Sequence, residues 1–414
     1  MLSCWRAVSG GREAFFWPIS GGSKMALAAS GAAMIASRTA VFSRSGQTQH
    51  RLKINFLADF LYDPAMSKQT FDLPSRMLPA PVGGGFSMDG YWVWCGSVIR
   101  GDDGRYHMFA SRWPSDVSVL HWAVNSEIVR ASADRPEGPF RFEEVVLGAT
   151  GGSAFDARVL HNPCIRRCGE MFLLFYTGST FDGPTPNHDD PAPQPSGRWQ
   201  QAWHNKRIGL ATARSVLGPW TRSKRPILDV RPGHWDGVIT SNPAPCVHED
   251  GRVLLLYKST PHRHDRDGSF RGRFMLGAAW AGHYTQPFRR LDDNPVLQFD
   301  HPDAHVEDPC CWHDGRCYRA IMKDMTGAIG GEPQAGIAAE SPDGVRWRLS
   351  DPPRAYRRQV RWDDGSVTCP AKLERPQLLF EAGRPTHFYA ATCDSEVSLT
   401  KARRTWNMVV PLAV

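Results

Sequence analysis

Five stretches of this 414-residue chain set a carboxylate beside an apolar run that reads as a strand. They are Asp89-Gly-Tyr-Trp-Val, Phe155-Asp156-Ala-Arg, Trp235-Asp236-Gly-Val-Ile, Val306-Glu307-Asp308-Pro and Leu373-Glu374-Arg375-Pro. Carboxylates gathered out of bulk water repel, so some of them should hold their protons to higher pH. One protonated acid beside one ionised carboxylate is what glycosidic cleavage needs: the first protonates the leaving oxygen, the second acts on water or carbon. Each acid taken singly reads more simply as a turn residue, because Asp-Gly is common in turns. The recurrence of the set at the head of five units favours the chemical reading.

Those acids can act together only if distant segments converge, and a repeat in the turns supplies the means. Gly104, Gly169, Gly251, Gly315 and Gly383 each sit in a turn followed by an aromatic and aliphatic run, at spacings of 65, 82, 64 and 68 residues. Asp-Gly between apolar runs is a strong hairpin signal, since its turn needs positive φ. A second pattern follows each of the first four hairpins: Glu127-Ile-Val-Arg-Ala-Ser, Arg207-Ile-Gly-Leu-Ala, Met275-Leu-Gly-Ala-Ala and Ala335-Gly-Ile-Ala-Ala. Residues 395–410 supply a weaker fifth copy. Each unit therefore reads as four strands, and the chain as an all-β, five-bladed β-propeller with four-stranded blades. Two consecutive sandwiches are the competing arrangement, and the shared motif favours the propeller. Two insertions, Phe181 to Lys206 and Pro261 to Arg273, fall between second and third strands. They should overhang the entrances of the innermost strands, on the binding face.

Composition sets the outer limits. The 38 glycines and 32 prolines, with 11% aromatics, suit short strands and tight turns, and 41% apolar residues suit a packed core. A net charge of +7 is spread without a basic block, so nucleic acid is not an indicated partner. The ten cysteines include no C-x-x-C pair, and they read as small apolar strand residues rather than ligands or disulfides. No run is long enough for a membrane span. No nucleophile elbow, P-loop or H-E-x-x-H motif occurs. Residues 1–50 read as a presequence or a disordered N-terminus, and 51–414 as the catalytic propeller. Lys24 and the weakly apolar stretch Met25–Ala36 resemble an export signal, which leaves a periplasmic or secreted protein and a cytoplasmic one both open. A short helix is expected near 51–70, where Leu57, Phe60 and Leu61 share a face.

With the acid pattern, the blades, and Asn162-Pro163 and Asn242-Pro243 in inner strands, residues 85–410 resemble the five-bladed glycosidases of glycoside hydrolase families 43 and 117. The resemblance implies an inverting, exo-acting hydrolase that removes a terminal sugar such as arabinofuranose from a carbohydrate substrate. It gives the general base to Asp89, the acid-tuning role to Asp236 and the general acid to Glu307. Asp156 is the rival for tuning and Asp308 the rival acid, only one of Glu307 and Asp308 pointing inward. It requires no cofactor and allows a structural cation in the central channel, faced by His161. Candidates for sugar binding are Trp92, Asp156, His161, Asn162, Trp235, Asn242, His305, Asp308, Glu374 and Arg375. Each of the aromatics and histidines has a structural alternative in core packing. A glycoside phosphorylase, needing a Lys, Arg or His cluster beside Glu307, and a non-catalytic carbohydrate-binding propeller are the alternatives. Oligomeric state is not legible.

Overall fold

A computed structural model describes residues 72–413 apart from 190–196, 266–269, 271, 293–294 and 300. The expected presequence and the helix near 51–70 lie outside the described residues. Four four-stranded antiparallel sheets follow one another, each built in chain order. The first is β1 (Tyr91–Arg100), β2 (Tyr106–Pro114), β3 (Glu127–Ala133) and β4 (Arg141–Leu147). The second is β5 (Val159–Cys168), β6 (Met171–Ser179), β7 (Arg207–Ala213) and β8 (Thr221–Arg222). The third is β9 (Ser241–Val247), β10 (Val253–Ser259), β11 (Met275–Ala281) and β12 (Arg289–Arg290). The fourth is β13 (Val306–His313), β14 (Tyr318–Asp324), β15 (Gly336–Ser341) and β16 (Arg348–Tyr356). After a small hairpin of β17 (Val360–Arg361) and β18 (Val367–Thr368) comes the fifth blade, β19 (Leu373–Glu381), β20 (Arg384–Cys393) and β21 (Thr405–Pro411). This is the five-bladed propeller that the repeat predicts.

The fifth blade takes its outermost position from the opposite end of the domain. Met77 bridges Leu412, Phe86 bridges Asn407, and the Phe86 and Asn407 backbones exchange hydrogen bonds of 2.8 and 2.9 Å. The Asn407 side chain then accepts from Gly96 N at 2.7 Å, tying this blade to the first. The ring is thus closed by backbone pairing rather than by a disulfide. The described cysteines are free, and Cys95, Cys164, Cys246, Cys310, Cys311 and Cys393 are buried.

All five turn glycines have positive φ, between 56° and 90°. This is the left-handed region open to glycine at no steric cost. Between blades, apolar faces interlock: Leu254, Leu256 and Ala278 of the third blade pack on Cys311, Ala320 and Met322 of the fourth. The two insertions leave from the ends of β6 and β10, as the topology predicts, and they pack on each other. His264 N donates to His204 Nε2 at 3.0 Å, and the Trp203 and His264 rings meet edge-on at 4.4 Å.

Candidate functional site

The inner strands β1, β5, β9, β13 and β19 all break their pairing register at the same level. The break follows Trp94, His161, Ser241, Glu307 and Glu374. The next residue in each strand, Cys95, Asn162, Asn242, Asp308 or Arg375, has φ between 51° and 58°. Gly96 or a proline (Pro163, Pro243, Pro309, Pro376) follows, suiting a bulge where the ladder needs no N–H. Five repeated bulges turn five side chains onto one axis.

These axial side chains are joined in sequence. Cys95 Sγ donates to Asn162 Oδ1 at 2.9 Å, Asn162 Nδ2 to Asn242 Oδ1 at 3.0 Å, and Asn242 Nδ2 to Asp308 Oδ1 at 2.5 Å. Arg375 Nη1 reaches the same Asp308 oxygen at 3.4 Å. An amide both donates and accepts, so two asparagines can relay a chain that ends on a carboxylate. Asn162, Asn242, Asp308 and Arg375 are therefore brought together, as buried structure at the axis. Arg375 places a buried guanidinium where the family resemblance allows a cation. His161 directs Nδ1 to Ser126 Oγ at 2.8 Å and Nε2 toward Cys95 Sγ at 3.6 Å. Among the described residues no group of His, Cys, Asp and Glu is arranged to hold a metal. A cation does not fit beside this guanidinium.

One residue earlier along each strand lies the row that carries Glu307 and Glu374. Lys258 Nζ donates to Glu307 at 2.6 Å, and Lys323 Nζ reaches Glu307 at 2.5 Å, Glu374 at 2.7 Å and Asp308 at 3.5 Å. Lys372 adds a contact of 3.1 Å to Glu374. Burial alone would raise the Glu307 carboxyl, but the Lys258 and Lys323 ammonium groups override it and hold it well below the usual carboxylate range. Glu374 is likewise brought down to about 2, burial being outweighed by Lys323 and Lys372. The expectation of raised carboxyls is overturned: crowding is real, but interposed lysines remove the repulsion. Glu307, rather than Asp308, occupies this row, and Asp308 turns into the axial chain.

The sequence acids fall into two classes, not one. Glu307 and Glu374 directly precede the positive-φ residue, whereas Asp89, Asp156 and Asp236 stand six residues before it. Asp156 accepts from Tyr176 Oη at 2.7 Å and faces Arg222 at 3.8 Å. Asp236, fully buried, accepts from Tyr257 Oη at 3.0 Å, Arg231 Nε at 2.9 Å and Arg290 Nε at 2.5 Å. Each tyrosine lies against a glycine of the second sequence pattern: a Cβ on Gly209 or Gly277 would stand 2.4 Å from the ring. Phe155 stacks on Tyr176 at 6.4 Å and Trp235 on Tyr257 at 5.9 Å, so Trp235 repeats a packing device of the preceding blade. Tuning at Glu307 comes from lysines, and Asp236 is engaged within its own blade. Asp236→Ala should cost about 3 kcal/mol by removing the carboxylate that two guanidinia share, at the low end for a broken buried pair because both keep some exposure and Arg290 keeps its bonds to Tyr257 and Asp229. A urea midpoint lowered at unchanged slope checks this.

Asp89 is exposed in the turn before β1, and the first blade has Ala110 where Tyr176 and Tyr257 stand. Among the described residues it has no hydrogen-bond or ion-pair partner, which leaves it the uncommitted member of its class. Trp92 is core: it packs with Trp94, Trp113 and Val117, and its indole N–H donates to Val117 O at 2.9 Å. His305 is half-buried against Phe274 and lines a surface hollow with His301, Asp303 and Thr326. Sequence reasoning missed Lys206, Lys258, Lys323 and Lys372. A lysine closing the apolar runs Leu254-Leu-Leu-Tyr-Lys258 and Ala320-Ile-Met-Lys323 was the available signal, because such a strand is buried on both faces.

No protein-family model and no curated protein matches the chain. Solved structures do. A family 117 glycoside hydrolase from the marine bacterium Zobellia galactanivorans superposes with a TM-score of 0.54 at 15% identity, over 81% of this chain and 89% of that one. A thermostable family-43 glycoside hydrolase gives 0.51 at 13%, over 79% and 91%. An α-L-arabinofuranosidase from Podospora anserina, solved with cellotriose, gives 0.54 at 11%, over 83% and 99%. At such identities the likeness is one of fold, and it is the likeness that the sequence pattern indicates.

Proposed function

We propose that the chain is a glycoside hydrolase whose reaction centres on Glu307. The observation that carries this reading is the axial convergence of Glu307 and Glu374, clamped by lysines on the side where both insertions pack. Glu307, ionised at rest, first takes a proton from the Lys258 ammonium 2.6 Å away and then delivers it to the leaving oxygen. Asp89, free of partners, takes a proton from the attacking water, and the proton later returns to Lys258. Glu307 and Glu374 hold one Lys323 nitrogen at 2.5 and 2.7 Å, too close together for the roughly 6.5–9.5 Å spacing that admits a water between carboxyls. Inversion therefore rests on the Asp89–Glu307 pair. The proposed substrate is a terminal arabinofuranoside or related sugar on an oligo- or polysaccharide.

A panel of aryl glycosides and oligosaccharides, followed by NMR, tests the reading: the first-formed product should have the anomer opposite to that of the substrate. Asp89→Asn should cut turnover by about 10²-fold or more and keep sugar binding. Unchanged turnover in that variant removes Asp89 from the mechanism. The lysine cluster beside Glu307 also favours a second reading, phosphorolysis, in which inorganic phosphate replaces water and the product is a sugar phosphate.

A further inference from the structure

Among the described residues, Lys206 is a cation of the site with no anionic partner. It follows the helix Gly197–His204 at the entry to β7, and it is 5% exposed. Its Nζ lies over the Trp122 ring at 4.2 Å and the Trp203 ring at 4.8 Å. Among the described residues no carboxylate, hydroxyl or carbonyl accepts a hydrogen bond from it. The axial carboxylates are already taken: Glu307 by Lys258 and Lys323, Asp308 by Arg375, Asn242 and Lys323, and Glu374 by Lys323 and Lys372. A buried ammonium resting on aromatic faces alone is costly, and an anionic occupant offsets that cost.

We propose that Lys206, with Lys258 beside it, binds an oxyanion of the ligand, so that this site takes an acidic sugar or inorganic phosphate in preference to a neutral sugar alone. The proposal deepens the glycosidase reading and rests on it for the identity of the site. Burial and the charge of Lys258 push the Lys206 ammonium well below its ordinary range. An arriving anion favours the charged form, so binding should take up a proton wherever the pH lies above the displaced value. The charged and titratable groups facing Lys206 are Lys258, Glu307, Asp308, Cys95, His161, His204 and His264.

Titration calorimetry of the full chain with D-galacturonate, inorganic phosphate, arabinose and xylose, in two buffers of different ionisation enthalpy, tests this. One of the two anions should bind about tenfold or more tightly than either neutral sugar. Its heat should differ between buffers by the proton taken up. Lys206→Met should lose that preference and the proton uptake while keeping its weak affinity for neutral sugar, and thermal unfolding verifies that the variant is folded. Binding of galacturonate that phosphate does not displace assigns the oxyanion to the sugar. Binding of phosphate that speeds cleavage assigns it to free phosphate. Equal affinities for acidic and neutral ligands, or a Lys206→Met variant with unchanged anion binding, overturn the proposal. Because the titration reads binding without turnover, a chain that cleaves nothing would overturn the glycosidase reading and leave this result standing.

Discussion

Glu307→Gln should lower turnover by about 10²–10⁴-fold, the contribution of a positioned proton-transfer group, while leaving the fold intact. The amide has the shape of the carboxyl, but its single oxygen can accept from only one of Lys258 and Lys323, which hold different carboxyl oxygens, and it cannot pass a proton from Lys258 to a leaving oxygen. The loss should appear in kcat and kcat/KM together, because the proton is delivered in the transition state. Substrates with activated leaving groups need little protonation, so an aryl glycoside with a nitrophenol leaving group should recover much of the lost rate. A variant that lost affinity alone, with kcat unchanged, would make Glu307 a binding group.

Lys323→Met should be the most destabilising single change at the site, by about 3–5 kcal/mol. Lys323 is 1% exposed and touches Glu307, Glu374 and Asp308, so its removal leaves buried carboxylates short of a counter-charge. The pH dependence follows from the direction of each displacement. Glu307 and Glu374 are held below their ordinary values, Glu374 at about 2. Their stabilisation is therefore complete above an ordinary glutamate pKa of about 4.3 and is lost as pH falls toward 2. Lys323 is held above its ordinary value, so its share is lost only under strongly alkaline conditions. Urea unfolding at pH 7, pH 3 and pH 2 checks the acid side: the gap between wild type and Lys323→Met should be widest at pH 7, smaller at pH 3 and smallest at pH 2. A gap independent of pH would mean that Lys323 contributes through packing of its stem.

The fold was legible because its signal is local and repeated. Five turn glycines and the Ile-Gly-Leu-Ala type segments each report a backbone requirement, and five copies make a ring. The candidate site was legible in part. Glu307, Asp308, Glu374 and Arg375 lie within one residue of a bulge, so the sequence marks the level at which the inner strands turn side chains onto the axis. Asp156 and Asp236 were grouped with them because proximity to a strand start looks the same at one residue before the bulge and at six. Only the Tyr176 and Tyr257 partners, and the glycines that admit those rings, reveal the second class. The lysines went unread because a cation's role depends on what faces it across blades, and no spacing within one strand encodes that. For the same reason the sequence points the carboxyl pKa values the wrong way: it shows the carboxylates without their counter-ions.

The central claim is that sugar is cleaved at the Glu307 level of the axis. A crystal structure of the Asp89→Asn protein, soaked with an oligosaccharide that the wild type turns over, tests it most directly. The account predicts the scissile oxygen within about 2.6–3.2 Å of a Glu307 carboxyl oxygen. A sugar bound elsewhere, with Glu307 still closed between Lys258 and Lys323, would contradict it.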